Sequence, residues 1–446
     1  MVVVVSHGNV VARPEGKGFG VIADGAVALA GDRIVAVGSA KDVERLYGEG
    51  DEHVDASGCI IAPGFVDAHT HVAGSCFRGL LEDISDHFYG YALRLEEYMT
   101  SEMVYAFSLL GAVEALRFGV TTVNDHYHMG RTVAQAALDS GIGAVVAHTV
   151  MDVHLGEIGL RGYIRDPRLG EETLREAIAL IERPPLQQGT RVRYALGPHA
   201  TDTCSTSLLS TIREESTRLG VGVHMHVAQS EREVRQVAKE HSATPVSLLE
   251  KTGLLKPGFL AAHLVNAGAT DIAKVASSGA SSAYCPVVYA KNGRLPNVST
   301  LLSSGVKIGL GTDWLSMNPW DMMRQMVAQT RVAAGRTALN APKTLYMATL
   351  GAAHALGLSK EVGSIEPGKR ADLIVIDAAS AHMKPLRNNI QNMVYYAEGG
   401  DVRHVFVAGK TVVRDRALTT VDEKQVVHRA QALAEELWSR LPYPSE

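Results

Sequence analysis

The clearest chemical signal in this sequence is a pair of histidines, His69 and His71, at the end of the segment PGFVDAHTHV, residues 63–72. The apolar residues before them predict a β-strand, in which alternate side chains face the same side. The two imidazoles therefore point the same way, about 7 Å apart along the strand. Together they form half of a four-coordinate metal site. Because such a pair is more often coincidence than a metal site, the rest of the chain must supply the other half.

The elements that would position such a site are short apolar segments that alternate with helical stretches. The predicted strands cover residues 64–71, 120–125, 143–149, 192–197, 221–227, 259–263, 280–284 and 306–311. Helical patterns between them cover residues 103–117, 132–140, 207–219, 231–241 and 270–277. Eight strands alternating with helices predict an α/β fold, a parallel (β/α)8 TIM barrel.

The two ends of the chain consist of short strands and tight turns, including a glycine-rich turn at residues 16–20. Neither end is long enough to bury a core alone. We therefore expect residues 1–62 and 361–420 to combine into one small β-sandwich, with the barrel, residues 63–360, inserted between them. Residues 421–446 are predicted to contain a C-terminal helix that packs on the barrel or forms a dimer contact.

A TIM barrel carries its chemistry at the C-terminal ends of its strands, and histidine or aspartate stands at most of the predicted ends. These residues are His69, His71, Asp125, His199, His224, His226, His263 and Asp313. Each one alone could be a loop hydrogen bond or a helix N-cap. So many strand ends with the same chemistry favour one shared site.

Composition and spacing exclude several other classes of protein. The net charge of −5 argues against a nucleic-acid surface. The 4 cysteines include no CxxC pair, which excludes a cysteine-rich zinc site and fits a reducing cytoplasm. The sequence contains no signal-peptide pattern and no membrane-length apolar run. It also lacks the HExxH, Walker A, GxSxG and PCxxC motifs. We expect a cytoplasmic protein that binds neither membranes nor nucleic acid.

Taken together, the motifs resemble those of the amidohydrolase superfamily, in its mononuclear aminohydrolase branch. That branch includes cytosine and guanine deaminases, adenosylhomocysteine and methylthioadenosine deaminases, and s-triazine hydrolases. The resemblance covers nearly the whole chain. Besides PGFVDAHTHV, its motifs are GVTTVND (119–125), LGPHATDTCS (196–205), VHMHVAQSE (223–231), AAH (261–263), GLGTDW (309–314) and GSIEPGKRADLIVID (363–377).

The resemblance implies one divalent metal ion, with zinc expected first and iron as the alternative, because both accept imidazole and carboxylate ligands. Its ligands would be His69, His71, His226 and Asp313. Binuclear relatives bridge two metal ions with a modified lysine on the fourth strand. Since no lysine occurs between Lys41 and Lys239, that bridge is impossible here and the site should be mononuclear.

The implied activity is hydrolysis of a carbon–nitrogen bond other than a peptide bond, on a small nitrogen heterocycle, by metal-activated hydroxide. Asp313 would accept the proton of the attacking water and pass it on. His263 would orient that water and stabilise charge, and His199 would contact the ring or the ribose. The resemblance also implies a homodimer.

One departure from the family pattern bears on this activity. The glutamate that usually follows the fifth-strand ligand in an HxxE motif is Gln229 here, and glutamine cannot exchange a proton. Three outcomes stay open. His263, His224 or Asp313 could carry the protons. The substrate could lose chloride or an alkylamine, as in triazine hydrolases. Or the chain could be a metal-binding protein of weak activity.

Three further residues are candidates for substrate binding. Trp314 follows the metal aspartate, where small residues are usual, and could stack on a flat substrate or simply pack the loop. Lys291 could contact an anionic or carbonyl group. Phe77 follows the first strand and could cover the site.

Overall fold

The computed structural model describes residues 1–13, 18–84, 87–184 and 191–443, and the statements below refer to these residues. The glycine-rich turn predicted at residues 16–20 lies partly outside them. Among the described residues, no helix has both the length and the apolar character needed to span a membrane.

The strands are, in chain order, β1 (Val2–Ala12), β2 (Gly20–Ala30), β3 (Arg33–Ser39), β4 (Glu52–Asp55), β5 (Cys59–Pro63), β6 (Phe65–Thr70), β7 (Val120–Tyr127), β8 (Gly143–Val150), β9 (Val192–Pro198), β10 (Val223–Val227), β11 (Phe259–His263), β12 (Ser281–Tyr284), β13 (Lys307–Leu310), β14 (Leu373–Asp377), β15 (Val402–Val407), β16 (Lys410–Arg414) and β17 (Ala417–Leu418).

The helices are α1 (Ala40–Tyr47), α2 (Leu93–Glu96), α3 (Ser101–Arg117), α4 (Gly130–Ser140), α5 (Ile158–Arg161), α6 (Pro167–Glu182), α7 (Thr206–Leu219), α8 (Glu231–His241), α9 (Pro245–Thr252), α10 (Ala269–Ser278), α11 (Pro286–Lys291), α12 (Val298–Ser303), α13 (Pro319–Ala334), α14 (Ala341–Ala348), α15 (Leu350–Ala355), α16 (Asn389–Tyr396) and α17 (Glu423–Trp438).

Strands β6 to β13 form an eight-stranded parallel sheet in sequence order. Main-chain pairing of Thr70 with Asp313 joins its last strand to its first and closes the barrel. Each predicted strand matches an observed strand within a few residues. Four of the five predicted helices are observed one or two residues longer, and the fifth, residues 231–241, has the same bounds as α8. The predicted TIM barrel is therefore confirmed.

The remaining strands form a nine-stranded mixed sheet that contains both ends of the chain, as predicted. Strand β5 joins the two ends because it pairs with β1 on one side and with β14 on the other. A single glycine, Gly64, separates β5 from the first barrel strand. A Cβ atom at this position would lie 2.2 Å from the side chain of Thr121, so no larger residue fits. The assignment of residues 63–360 to one domain and of the flanking segments to another stays our proposal.

Candidate active site

Four nitrogen and oxygen atoms converge at the C-terminal end of the barrel. The Nε2 atoms of His71 and His226 are 3.2 Å apart, and Asp313 Oδ1 lies 3.6 Å from Nε2 of both His69 and His71. Ligands held at about 2.1 Å around one tetrahedral metal ion are separated by about 3.4 Å. The spacing of these four side chains therefore fits a single ion.

The second ring nitrogen of each histidine is engaged, which leaves Nε2 free to bind a metal ion. His71 Nδ1 donates to the carbonyl of His126, and His226 Nδ1 donates to the carbonyl of His199 at 2.7 Å. His69 Nδ1 lies 2.8 Å from His224 Nε2. The Nε2 atom of His69 is buried and has no hydrogen-bond partner among the described residues. A buried ring nitrogen whose lone pair has no partner is expected where a cation completes the site.

The protonation of these rings also suits a metal ion. Burial lowers the pKa of His69, His71 and His226, and the neighbouring imidazoles lower that of His69 and His226 further. The neutral ring is the form that binds metals. The residues present thus fit the divalent ion that the sequence implies.

Asp313 is held in an unusual conformation, since its φ of +66° is rare for any residue with a side chain. The hydroxyl of Thr70 donates to its carbonyl at 2.8 Å. Its second carboxylate oxygen, Oδ2, lies 3.7 Å from His263 Nδ1. Burial lowers the pKa of His263 to about 3, so this ring is neutral. The carboxylate of Asp313 therefore lies between the three converging histidines and His263.

The converging side chains open onto a cavity of about 450 Å³, a size typical of small-molecule sites. The cavity wall includes many of the residues singled out from the sequence: His71, His199, His226, Gln229, His263, Lys291, Asp313 and Trp314. His69 lies beneath this wall and is fully buried.

Besides His69, three residues singled out from the sequence lie off the described cavity wall. Phe77 is fully buried and packs behind Trp314, with 5.7 Å between the ring centroids. His224 lies behind His69. Asp125 accepts a hydrogen bond from the Val72 amide at 2.8 Å. We therefore assign Phe77 a supporting position rather than a covering one.

Gln229 lines the cavity, and its main chain is fixed on both sides. Its amide donates to Glu233 Oε2 at 2.7 Å, and its carbonyl accepts from Arg294 at 2.7 Å. Glu233 is fully buried and also accepts from the Ala228 amide at 3.1 Å and the Thr201 hydroxyl at 2.5 Å. Glu233 therefore holds the turn that presents Gln229.

Burial and the negative charge of Asp202 raise the pKa of Glu233. The sequence contains a pattern that could have pointed to Glu233. Ser230 and Glu233 have the spacing of a capping box, and the Ser230 hydroxyl does accept from the Glu233 amide at 3.1 Å. The carboxylate, however, turns away from the helix end to the preceding turn.

Glu96, on the cavity wall, was missed by reasoning from sequence. Its Oε1 accepts a hydrogen bond from the Tyr127 hydroxyl at 2.8 Å, and its Oε2 lies 3.8 Å from His128 Nε2. Burial raises the pKa of Glu96 to about 7 and lowers that of His128 to about 4. Glu96 comes from the long segment after β6, whose path has no signature in the sequence.

Comparison with known proteins gives a consistent set of relatives. The model of the amidohydrolase family matches residues 60–412. The 5-methylthioadenosine/S-adenosylhomocysteine deaminase of Syntrophobacter fumaroxidans is 35% identical, over 94% of this chain and 94% of its own. The 5′-deoxyadenosine deaminase of Methanobrevibacter smithii is 32% identical, over 93% of this chain and 94% of its own.

Solved structures agree with this picture. An adenosine deaminase from Xanthomonas campestris with bound zinc superposes with a TM-score of 0.89 at 26% identity, covering 98% of both chains. The atrazine chlorohydrolase of Arthrobacter aurescens complexed with zinc gives a TM-score of 0.86, covering 97% of this chain and 100% of its own. At 21% identity, the second likeness shows the fold alone.

Proposed function

This chain belongs to the amidohydrolase family and is a hydrolase of carbon–nitrogen bonds other than peptide bonds, and we propose that it deaminates the purine ring of a nucleoside modified at its 5′ carbon. The observation that carries the proposal is the convergence of His69, His71, His226 and Asp313 at the base of a cavity lined by His199 and Gln229. The substrate class comes from relatives named as deaminases of such nucleosides.

We propose that the four converging side chains hold one zinc ion, with iron as the alternative. When bound, a divalent ion lowers the pKa of water toward neutrality and so supplies the nucleophile. The chain fixes the ligands through second hydrogen bonds, such as that of His226 Nδ1 to the His199 carbonyl. These bonds set the tautomer of each ring before substrate arrives.

Asp313 is suited to move the proton of the attacking water. Its Oδ1 faces the metal-binding histidines and its Oδ2 faces His263, so one carboxylate adjoins both groups. It can accept one proton of the water and pass it to a ring nitrogen, and it can then accept the second proton from the new hydroxyl group and give it to the departing amine. His263, neutral because of burial, orients the water and donates a hydrogen bond to the oxygen on which charge develops.

Other cavity residues position the substrate. The Gln229 amide hydrogen-bonds a ring nitrogen without transferring a proton, and the ring proton comes from Asp313. His199 contacts the ring, and the Trp314 indole stacks on it. Glu96 provides a carboxylate that can accept hydrogen bonds from the two ribose hydroxyls.

A second candidate function is displacement of chloride or an alkylamine from a triazine. The observation that favours it is Gln229, because a chloride leaving group needs no proton from the enzyme. A metal-binding protein of weak activity is the third possibility that this residue leaves open. A homodimer and a cytoplasmic location stay predictions.

The three candidate functions differ in the product that the protein would release. Zinc-loaded enzyme would be incubated with 5′-methylthioadenosine, 5′-deoxyadenosine, guanine and atrazine, and ammonia, chloride and alkylamine would be measured. Ammonia from the nucleosides, with a product in which oxygen replaces the amino group, supports the proposal. Chloride or alkylamine release alone supports the second function. Binding of a nucleoside without any product would contradict both.

A further inference from the structure

We propose that residues 153–165, in the segment after β8, form a flap over one side of the cavity, and that the hydrogen bond between Tyr163 and Asp202 is the latch that holds this flap closed. Tyr163 and Asp202 are then positioning residues, since neither lies on the described cavity wall. The inference goes beyond the proposed function and rests on it only for the kinetic part of the test.

The two ends of the flap are joined at a narrow neck. Val153 and Arg165 pair as residues of antiparallel strands do. The Asp166 amide donates to the Asp152 carbonyl at 2.7 Å, and Arg165 donates to the Asp152 carboxylate at 2.8 Å. A compact loop whose ends lie this close is an Ω-loop, a type that frequently carries function. With its neck closed, the flap can move as one body.

The flap has a buried inner side and an exposed outer side. Leu155 lines the cavity and Ile158 is fully buried, whereas Leu160 is 62% exposed. Gly159 lets the inner side lie against the segment after β6, because a Cβ atom there would be 2.5 Å from the Tyr89 carbonyl oxygen. A movable cover needs this division, since an exposed outer side has little apolar burial to lose when the cover opens.

The latch is a short, buried hydrogen bond. The Tyr163 hydroxyl donates to Asp202 Oδ2 at 2.5 Å, a length typical of a bond to a charged carboxylate. Asp202 is 2% exposed, and its Oδ1 has no hydrogen-bond partner among the described residues. Burial and the negative charge of Asp202 raise the pKa of Tyr163, so the hydroxyl keeps the proton that it donates. Removal of this donor leaves a buried carboxylate short of a partner and destabilises the closed flap.

Asp202 belongs to a loop that is itself held in place. The hydroxyl of the preceding residue, Thr201, donates to Glu233 at 2.5 Å. Glu233 accepts from the Gln229 amide and so holds the turn that carries this residue. The latch therefore connects the flap to the loops after β9 and β10, which supply His199 and Gln229 to the cavity wall.

The variant Tyr163→Phe tests the latch because it removes only the hydroxyl. Ammonia release from 5′-methylthioadenosine is measured on the zinc-loaded enzyme. Loss of one hydrogen bond to a charged group should make closure of the flap over substrate less favourable, so KM rises and kcat/KM falls by about tenfold. Because the bound enzyme still closes for most of the time, kcat changes little. A merely structural role would instead lower kcat through a smaller folded fraction and leave KM unchanged.

The matched control is Tyr105→Phe. Tyr105 donates to Asp139 at 2.7 Å in an exposed tyrosine–aspartate pair outside the described cavity wall, so both kinetic constants should stay unchanged.

Substitutions of Asp202 test the other partner of the latch. Asp202→Asn keeps an oxygen that accepts from Tyr163, so kcat/KM should fall less than in Asp202→Ala. In the double variant Tyr163→Phe/Asp202→Ala the two losses in kcat/KM should not add, since both substitutions remove the same bond. Additive losses would overturn the proposal while leaving the deaminase function intact.

Hydrogen exchange followed by mass spectrometry measures the flap without turnover. In the zinc-loaded full-length protein, amides of residues 153–165 should exchange about tenfold faster in Tyr163→Phe than in the wild type or Tyr105→Phe. If the nucleoside released no ammonia, the proposed function would fail, but faster exchange confined to the flap would still support the latch. Equal exchange in Tyr163→Phe and the wild type, or faster exchange over the whole chain, would overturn it.

Discussion

Asp313 and His69 are in contact at two points, one in the main chain and one between their side chains. The Asp313 amide donates to the His69 carbonyl at 2.9 Å, and Asp313 Oδ1 lies 3.6 Å from His69 Nε2. The first contact belongs to the seam that closes the barrel between β13 and β6, and the second belongs to the proposed metal site. The side chains of His69 and Asp313 therefore cannot separate without opening the barrel, which keeps the proposed site preorganised.

His224 is predicted to tune the metal site without binding the ion. Its Nε2 lies 2.8 Å from His69 Nδ1, so His224→Ala removes the partner that fixes the His69 ring. Loss of such a partner lowers metal affinity by about 10-fold to 100-fold. Competition with a chromogenic chelator measures this change. Unchanged affinity would show that the contact has no role in metal binding.

Gln229→Glu is predicted to change the dependence of kcat on pH. The side chain lines the cavity, and a glutamate there could exchange a proton with the ring. Such assistance typically raises rates by about 10²-fold or more. The control is Glu231→Gln, an exposed residue of α8 whose substitution should leave the profile unchanged. An unaltered profile in Gln229→Glu would place position 229 outside the chemistry.

Glu233→Met should destabilise the protein and impair catalysis together. The substitution keeps most of the volume but leaves the amides of Ala228 and Gln229 without their buried acceptor. Each unsatisfied group costs about 1–3 kcal/mol of unfolding free energy. Denaturant unfolding measures the stability, and kcat/KM should fall because the turn no longer fixes Gln229. Glu231→Met is the matched exposed control, and equal behaviour of the two variants would refute the role of Glu233.

Ionisation of the Glu96 carboxyl is predicted to make substrate binding depend on pH. Burial raises the pKa of this carboxyl to about 7, so it is protonated below that pH and ionised above it. The ionised form is the better acceptor for ribose hydroxyls. KM should therefore fall as pH rises through about 7, and Glu96→Gln should flatten this dependence. The control is Glu97→Gln, a substitution at the exposed neighbouring residue. If KM varied with pH identically in the two variants, Glu96 would not be the group that binds the ribose.

Much of this architecture could be predicted from the sequence because its signals are local. The alternation of strand and helix patterns gave the barrel, and the position of His69, His226 and Asp313 at strand ends placed them at one rim. The strand period fixes which side chains share a face. It does not fix contacts between distant segments.

The residues that reasoning from sequence missed or misplaced depend on such contacts. Glu96 reaches the cavity from a long segment whose path depends on tertiary packing, as its bond from Tyr127 illustrates. Phe77 was expected to cover the site, but Trp314 takes the position at the wall and Phe77 packs behind it. Neither arrangement has a periodic or motif signal.

We expect His69, His71, His226 and Asp313 to hold one metal ion, and the metal content per chain measures this binding. Wild-type protein, His69→Ala and His428→Ala would be purified in parallel and measured by elemental mass spectrometry. His428 is an exposed histidine of α17 and serves as the control. We expect about one divalent ion per chain in the wild type and in His428→Ala, and far less in His69→Ala. Equal metal content in the two histidine variants would contradict it.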